Sequence, residues 1–344
     1  MATHSLMDTT RDVIVVGAGV MGLASAWALR RAGRDVTVLE QFDVGHPYGS
    51  SHGASRIFRF AYDETEWVEL AQEALPLWRE LEQESGTEVL SLPGLLDARD
   101  DSAPLRRALE ASSAEYELLD AAEAARRFGI ELEGEVVLEL HGGIVRADRA
   151  LAAFSHGMSI EPRVRVGSIR AGEDGVSLET SAGTVDAALV VVAAGAWATP
   201  LLADAGIDLE TTVSQETVSY FDLPAADTLP SVIDWNEETG RHAYSLSAGE
   251  NILKVGLHHS GAPVEPGEQG KPDSEVVEAA SEWVRQRYPA ANPTPRDAET
   301  CLYTNIDEDR FVIERLGMII TCSACSGHGF KFAPAVGTRV AALA

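Results

Sequence analysis

The first forty residues carry the most regular hydrophobic pattern in the chain. The apolar, largely β-branched run at 13–16 predicts a buried parallel strand. It breaks at Gly17 and passes into a helical pattern over Val20–Arg31, with Val20, Leu23, Ala24, Trp27 and Ala28 on one face. Arg30 and Arg31 suit the C-terminal end of that helix, and Gly33 is placed to stop it. A second strand at 36–39 ends on Glu40. Another near-continuous apolar run, at 187–194, predicts a second buried strand closed by Gly195, Ala196 and Trp197.

Elsewhere the period changes. Residues 67–81 repeat at helical spacing, with Pro76 placed to kink the helix. Residues 89–96 read as strand material around a Pro93-Gly94 turn, and 104–128 as an acidic, alanine-rich, helical outer layer. A helix at 147–154 precedes short antiparallel strands at 164–166, 176–179 and 184–185. From 211 to 257 apolar and polar residues alternate, with turns at Pro224, Gly240 and Gly249. Alternation predicts a sheet with one covered face and one open face, a natural floor for a substrate. A loop at 263–272, a helix at 274–288, strands at 301–305, 311–313 and 318–322, and a helix at 335–343 complete the chain. It contains no repeat and no low-complexity tract.

The opening unit has a chemical reading. Strand, GAGVMG turn, helix, strand and terminal acid follow the order of a dinucleotide-binding fingerprint. Gly17 permits the tight turn, Gly19 lets backbone approach a pyrophosphate, and Gly22 allows close helix–strand packing. Val20 and Met21 open the helix, whose free N–H groups and partial positive charge suit phosphates. Glu40 can accept a hydrogen bond from a ribose 2′-hydroxyl. These residues leave NAD and FAD equally open.

At 344 residues the chain predicts two domains. A formal net charge of −27 argues against nucleic acid or an anionic membrane as partner. No apolar run has the length of a membrane span, and the N-terminus lacks the pattern of a signal peptide. Three cysteines, all late in the chain, speak against a disulfide framework and for a reducing, cytoplasmic location. Basic residues gathered around a cleft in so acidic a protein require a local reason.

Four stretches supply candidates: the loop GHPYGSSHGASRIFR (45–59), KVGLH (254–258), CLY (301–303) and SGHGFK (326–331). Together with GAGVMG and AGAW, in this order, they resemble the monomeric sarcosine oxidase and N-methyltryptophan oxidase group, within the D-amino-acid-oxidase-like amine oxidoreductases. The resemblance runs over essentially the whole chain, and its later motifs are more specific than the glycine turn. It implies FAD as the cofactor and no metal. Cys301 matches the cysteine that forms a thioether to the flavin, which calls for an electropositive surrounding. Arg59 and Lys331 match a two-sided clamp for the substrate carboxylate, a bidentate fork beside a point charge. His52 and Arg56 match residues packed against the flavin, with Ser55 where relatives often carry Thr. Lys254 matches the lysine proposed to activate oxygen, and His258 the histidine beside the substrate amine. Tyr244 and Tyr303 match aromatic pocket walls. In the C-terminal motif, Gly327 and Gly329 would let backbone approach the ring beside Phe330, and Pro334 suits the first turn of the last helix.

The implied fold is α/β, a Rossmann-type FAD-binding domain plus a mainly antiparallel β-sheet substrate domain. The expected division is 8–90, 142–210 and 296–344 for FAD, and 91–141 and 211–295 for substrate. The implied reaction is oxidation of a small anionic amino acid with a secondary amine, by a monomer using molecular oxygen. A dehydrogenase or a biosynthetic oxidase with a larger substrate is the alternative, and a non-catalytic flavin binder the second. His259 has no counterpart role. Cys322 and Cys325 form a CxxC on a strand rather than at a helix start, which argues against a redox dithiol.

Overall fold

A computed structural model describes residues 10–236, 241–268 and 270–344. At its centre Arg11–Val16 pairs in parallel with Val36–Glu40 on one side and Gly183–Val192 on the other. Val13 and Val15 face one apolar cluster, Ile14 and Val16 another, so this part of the sheet is covered on both faces. That explains the unbroken apolar run. Five further strands were not all legible in the sequence. Ser159–Pro162, which pairs in parallel with Val36–Glu40, extends one edge without an apolar signature of its own.

The predicted strands at 184–185 and 187–194 are one strand, Gly183–Val192. Its first half alternates in burial and pairs antiparallel with Val176–Thr180. Its second half is continuously buried, between Arg11–Val16 and Ile319–Ser323, both parallel to it. The change of period records a change of surroundings along one strand. Val166–Ala171 and Val312–Leu316 complete the eight-stranded sheet.

The second sheet has nine strands and is mainly antiparallel. Thr212–Asp222, Ile252–Leu257, Arg241–Gly249 and Ser231–Asn236 follow one another across it. Ser231–Asn236 then pairs in parallel with Leu95–Arg99. Asp297–Asn305, grouped by sequence with the dinucleotide segments, pairs with Thr212–Asp222 over its whole length and so lies in the second sheet. The expected turn at Gly240 falls outside the described residues. A third, three-stranded sheet joins Ser55–Phe58, Gly143–Arg146 and Leu90–Ser91.

The stretch 104–128 is not helical throughout. Ala103–Ala111 and Ala121–Phe128 are helices, but Tyr116–Asp120 between them is an edge strand paired with Glu135–Glu139. Pairing with a distant strand overrides its local helical composition. Asp120 closes that strand and caps the next helix, accepting from the Glu123 amide at 2.7 Å. Helix Thr65–Ser85 runs continuously through Pro76.

Two contacts bring the C-terminal motif to the glycine turn. Helix Ala333–Leu343, with Pro334 in its first turn, lies against Val20–Arg31. A side chain on Gly337 would collide with the Ala24 carbonyl. Trp78, fully buried, donates from Nε1 to the Lys331 carbonyl at 2.7 Å and fixes the preceding turn. Among the described residues no helix is long and apolar enough to cross a membrane.

Candidate active site

Gly17 takes φ +105°, and a Cβ there would sit 2.6 Å from the Ala193 carbonyl oxygen. A Cβ on Gly22 would overlap the Gly17 carbonyl, so both glycines are required by backbone contact. Gly19 caps the helix, and its nearest neighbour is the Ser51 hydroxyl, at 3.3 Å from an added Cβ. Ser51, which sequence reasoning missed, also accepts from the Val20 amide at 3.0 Å. Glu40 is buried, and its carboxylate accepts from the Ala18 amide at 2.7 Å and the Phe42 amide at 2.8 Å. It therefore braces the glycine turn in addition to facing the cavity.

The loop at 45–56 is held by Arg56, whose guanidinium donates to the carbonyls of Ser50 and His52 at 2.7 Å and of Ser55 at 2.9 Å. The Ser50 hydroxyl donates to the Leu302 carbonyl, and the Ser55 hydroxyl to the Ser247 carbonyl at 2.6 Å. His52 Nε2 lies 3.1 Å from the Thr300 carbonyl, which can only accept, so that nitrogen carries the proton. Burial, then Arg56, pull the His52 pKa down to about 4. Its buried Nδ1 has no hydrogen-bond partner and is an open acceptor.

Lys254 and Cys301 project from strands that flank Thr212–Asp222, opposite Tyr220 and Glu216 respectively. Lys254 is 5% exposed, with Nζ 3.5 Å from the Ser55 carbonyl. Burial, then Arg56, lower its pKa to about 7. Arg56 and Lys254 do give Cys301 its electropositive surrounding, yet burial outweighs them and pushes the thiol pKa up. Tyr303, two residues on, shares the face of Cys301. Its phenol is hydrogen-bonded to that of Tyr244, whose ring covers Gly256.

Gly327 (φ +72°) presses against the Tyr303 ring, and a Cβ there would also lie 2.8 Å from His258 Cε1. Gly329 also has a backbone contact of its own. A Cβ there would strike the Ala324 carbonyl, so it closes its own turn against backbone. Phe330 stacks parallel to Trp78 at 6.4 Å, with the Arg56 guanidinium 5.5 Å from its ring centre. His258 stacks on His242 at 4.5 Å and 27°, and burial lowers both pKa values well below the usual imidazole range. Both rings are therefore neutral at pH 7.

The predicted clamp residues meet on Tyr62, which no sequence motif marks. Lys331 Nζ donates to the Tyr62 hydroxyl at 2.8 Å and to the His328 carbonyl, and Arg59 lies over the Tyr62 ring at 4.0 Å. The Arg59 guanidinium also donates to the Ala61 carbonyl. Tyr62 and His242 are single polar residues outside the recognised motifs, and Ser51, within the loop at 45–59, takes its role from the Val20 amide 31 residues away.

Every predicted site residue except Gly22 lines one cavity. Arg56, Arg59, Arg165, Lys254 and Lys331 border it, against Glu40 as the one lining carboxylate among the described residues. It runs from the glycine turn, past Cys301 and Lys254, to Arg59 and Lys331. A helix N-terminus, a braced acid and the unpartnered His52 Nδ1 fit a dinucleotide extended along it. This arrangement defines a dinucleotide-dependent oxidoreductase.

The chain belongs to the DAO family, FAD dependent oxidoreductase, whose family pattern matches residues 12–343. It is 32% identical to human (Homo sapiens) peroxisomal sarcosine oxidase over 356 residues, covering 95% of this chain and 90% of that protein. It is 30% identical to monomeric sarcosine oxidase from Bacillus sp. (strain NS-129), covering 98% and 94%. Among solved structures it resembles NikD, an unusual amino acid oxidase essential for nikkomycin biosynthesis, in its open form. The TM-score there is 0.88 at 26% identity, over 98% of this chain and 94% of that one.

Proposed function

We propose that the chain oxidises a small amino acid bearing a secondary amine, an N-methyl or cyclic imino acid. The products would be an imine, which water hydrolyses, and hydrogen peroxide. The observation that carries this reading is the meeting of Arg59 and Lys331 on Tyr62, at the end of a basic cavity in a protein of net charge −27. FAD, when bound, supplies the two-electron acceptor. Gly17, Gly19, Val20, Met21 and Glu40 hold its dinucleotide end, and His52, Ser55, Arg56, Gly329 and Phe330 the ring end.

Arg59 offers a fork and Lys331 a point charge to the substrate carboxylate. His258, kept neutral by burial, offers an unprotonated nitrogen to the amine N–H. Tyr244 and Tyr303 wall the amine off from water. Lys254 places a titrating cation where oxygen is reduced, favouring charge development on oxygen. Cys301, set between Arg56 and Lys254, is the proposed thioether attachment point.

The names of the sarcosine oxidase relatives support the substrate class and a monomer. The likeness to NikD favours a second reading, a larger amino acid in the same pocket. The division of the chain follows the two sheets, with FAD held by the first and substrate covered by the second. The three free thiols support a reducing compartment, for which we propose the cytoplasm. The test is anaerobic mixing of the FAD-loaded protein with a panel of small and large N-methyl and cyclic amino acids. Bleaching of flavin absorbance, then peroxide on admitting air, is expected. Absence of bleaching by every member overturns the reading.

A further inference from the structure

Glu139 is a fully buried carboxylate outside the cavity, with 0% exposure. It ends the strand Glu135–Glu139, where the chain turns towards Gly142 and Gly143. Its Oε2 accepts from the Phe60 amide at 3.0 Å, and its Oε1 from the His141 amide at 2.7 Å. A side chain on Gly142 would lie 2.9 Å from Oε2 and overlap Leu95, so the carboxylate is packed with no room beside it.

Phe60 is the residue after Arg59, and both lie just beyond the strand Ser55–Phe58. Past that strand end the backbone has no ladder partner, and a buried N–H must find an acceptor. Glu139 is that acceptor. One residue further, the Ala61 carbonyl accepts from the Arg59 guanidinium itself. The guanidinium is therefore aimed by a short turn, Arg59 to Ala61, whose middle amide is pinned by Glu139. The Phe60 ring stacks on His141 at 5.4 Å, which ties the same turn to the same acid from the other side.

The charges are matched as well. Burial raises the Glu139 pKa to about 7, against the Phe60 and His141 amides and then the Arg59 guanidinium, the cation facing it, which all lower it. His141 Nδ1 lies 3.9 Å away on the same turn, and its side chain is 40% exposed. On the neighbouring strands the facing residues are Leu95, which is apolar, and Tyr116, whose hydroxyl is turned away to Glu110.

We propose that Glu139 is the positioning residue of the substrate clamp: it fixes the Arg59–Ala61 turn, and through that turn the direction of the Arg59 guanidinium. The proposal rests on Arg59 binding the substrate carboxylate, as in the reading above. A carboxylate suits the task because it offers two acceptors to two amides. A primary amide offers one oxygen, and its NH2 would face an amide N–H.

The test uses FAD-loaded wild type, Glu139→Gln, Glu139→Asp and Arg59→Gln. It measures the Kd for acetate, from the perturbation of the flavin spectrum, and KM and kcat for sarcosine. Glu139→Gln is expected to raise both the acetate Kd and the KM about tenfold, with kcat changed much less. Glu139→Asp, which keeps both acceptors, should recover part of the loss. A merely structural role would lower thermal stability and leave the acetate Kd unchanged, and that result overturns the proposal. Failure of both Glu139 variants to fold assigns the residue to the scaffold and overturns it equally. If Arg59→Gln leaves the acetate Kd unchanged, the clamp reading itself fails, whatever the Glu139 variants do.

Discussion

Lys331 and Arg59 reach Tyr62 from different parts of the chain, one through its hydroxyl at 2.8 Å and the other over its ring face at 4.0 Å. The phenol thus holds two buried basic groups at a fixed separation, with the guanidinium anchored as well to the Ala61 carbonyl. Burial, then Arg59, hold the Lys331 pKa well below its usual value, so an incoming anion that relieves this repulsion is favoured. Tyr62→Phe keeps the ring and removes the acceptor for Lys331. A rise in KM for the amino acid of about three- to tenfold is expected, with little change in kcat. Steady-state kinetics on the variant and wild type give the comparison, and an unchanged KM removes Tyr62 from the clamp.

Lys254 links oxygen chemistry to stability through one proton. Its pKa falls from 10.5 to about 7 in the folded protein, with burial the main cause. Between those values the unfolded chain binds the extra proton, so the contribution of Lys254 to stability rises with pH across that window. The charged form that favours oxygen reduction is the form present below about 7. Reoxidation of the reduced protein is therefore expected to slow as pH rises through about 7. Lys254→Met should reoxidise slowly at every pH and, at pH 6, melt at a higher temperature than wild type. Wild-type reoxidation in this variant would sink the assignment.

The parts of the fold legible in the sequence are those whose signal is local. Gly17, Gly22 and the apolar strands beside them declare themselves because backbone contact and two-sided burial restrict the residue types. Tyr116–Asp120 does not, because its strand state comes from pairing with Glu135–Glu139. The site divides in the same way. Cys301, Lys254, Arg59 and Lys331 sit in recognisable motifs, whereas Tyr62 gains its role from a lysine 269 residues away. Gly329 was legible as a required glycine, but its contact with the Ala324 carbonyl was not, because that neighbour is set by the turn it closes.

Cys301 is half-buried, and burial raises its thiol pKa against the pull of Arg56 and Lys254. If it is the attachment point, wild type denatured in acid should keep its flavin colour with the polypeptide, and Cys301→Ser should release it. Because the thiolate is the reacting form, attachment to the flavin-free protein should quicken as pH rises. Free flavin from denatured wild type, or retained flavin in Cys301→Ser, contradicts the assignment.

Gly327 and Gly329 stand two residues apart and should fail differently on conversion to alanine. In Gly327→Ala the new methyl meets the Tyr303 ring and His258, both side chains able to shift, at a φ of +72° that already disfavours alanine. Displacing Tyr303 breaks its bond to Tyr244 and opens the amine pocket. A fall in kcat/KM of about a hundredfold, with flavin content unchanged, is expected. In Gly329→Ala the methyl meets the Ala324 carbonyl, and Met21 of the glycine-turn helix stands 3.1 Å away. Backbone cannot yield as a ring can, so this variant should lose flavin binding or stability first. Absorbance ratios of flavin to protein, read beside melting temperatures, separate the two. Equal flavin loss in both variants would show that Gly327 serves the cofactor rather than the pocket wall.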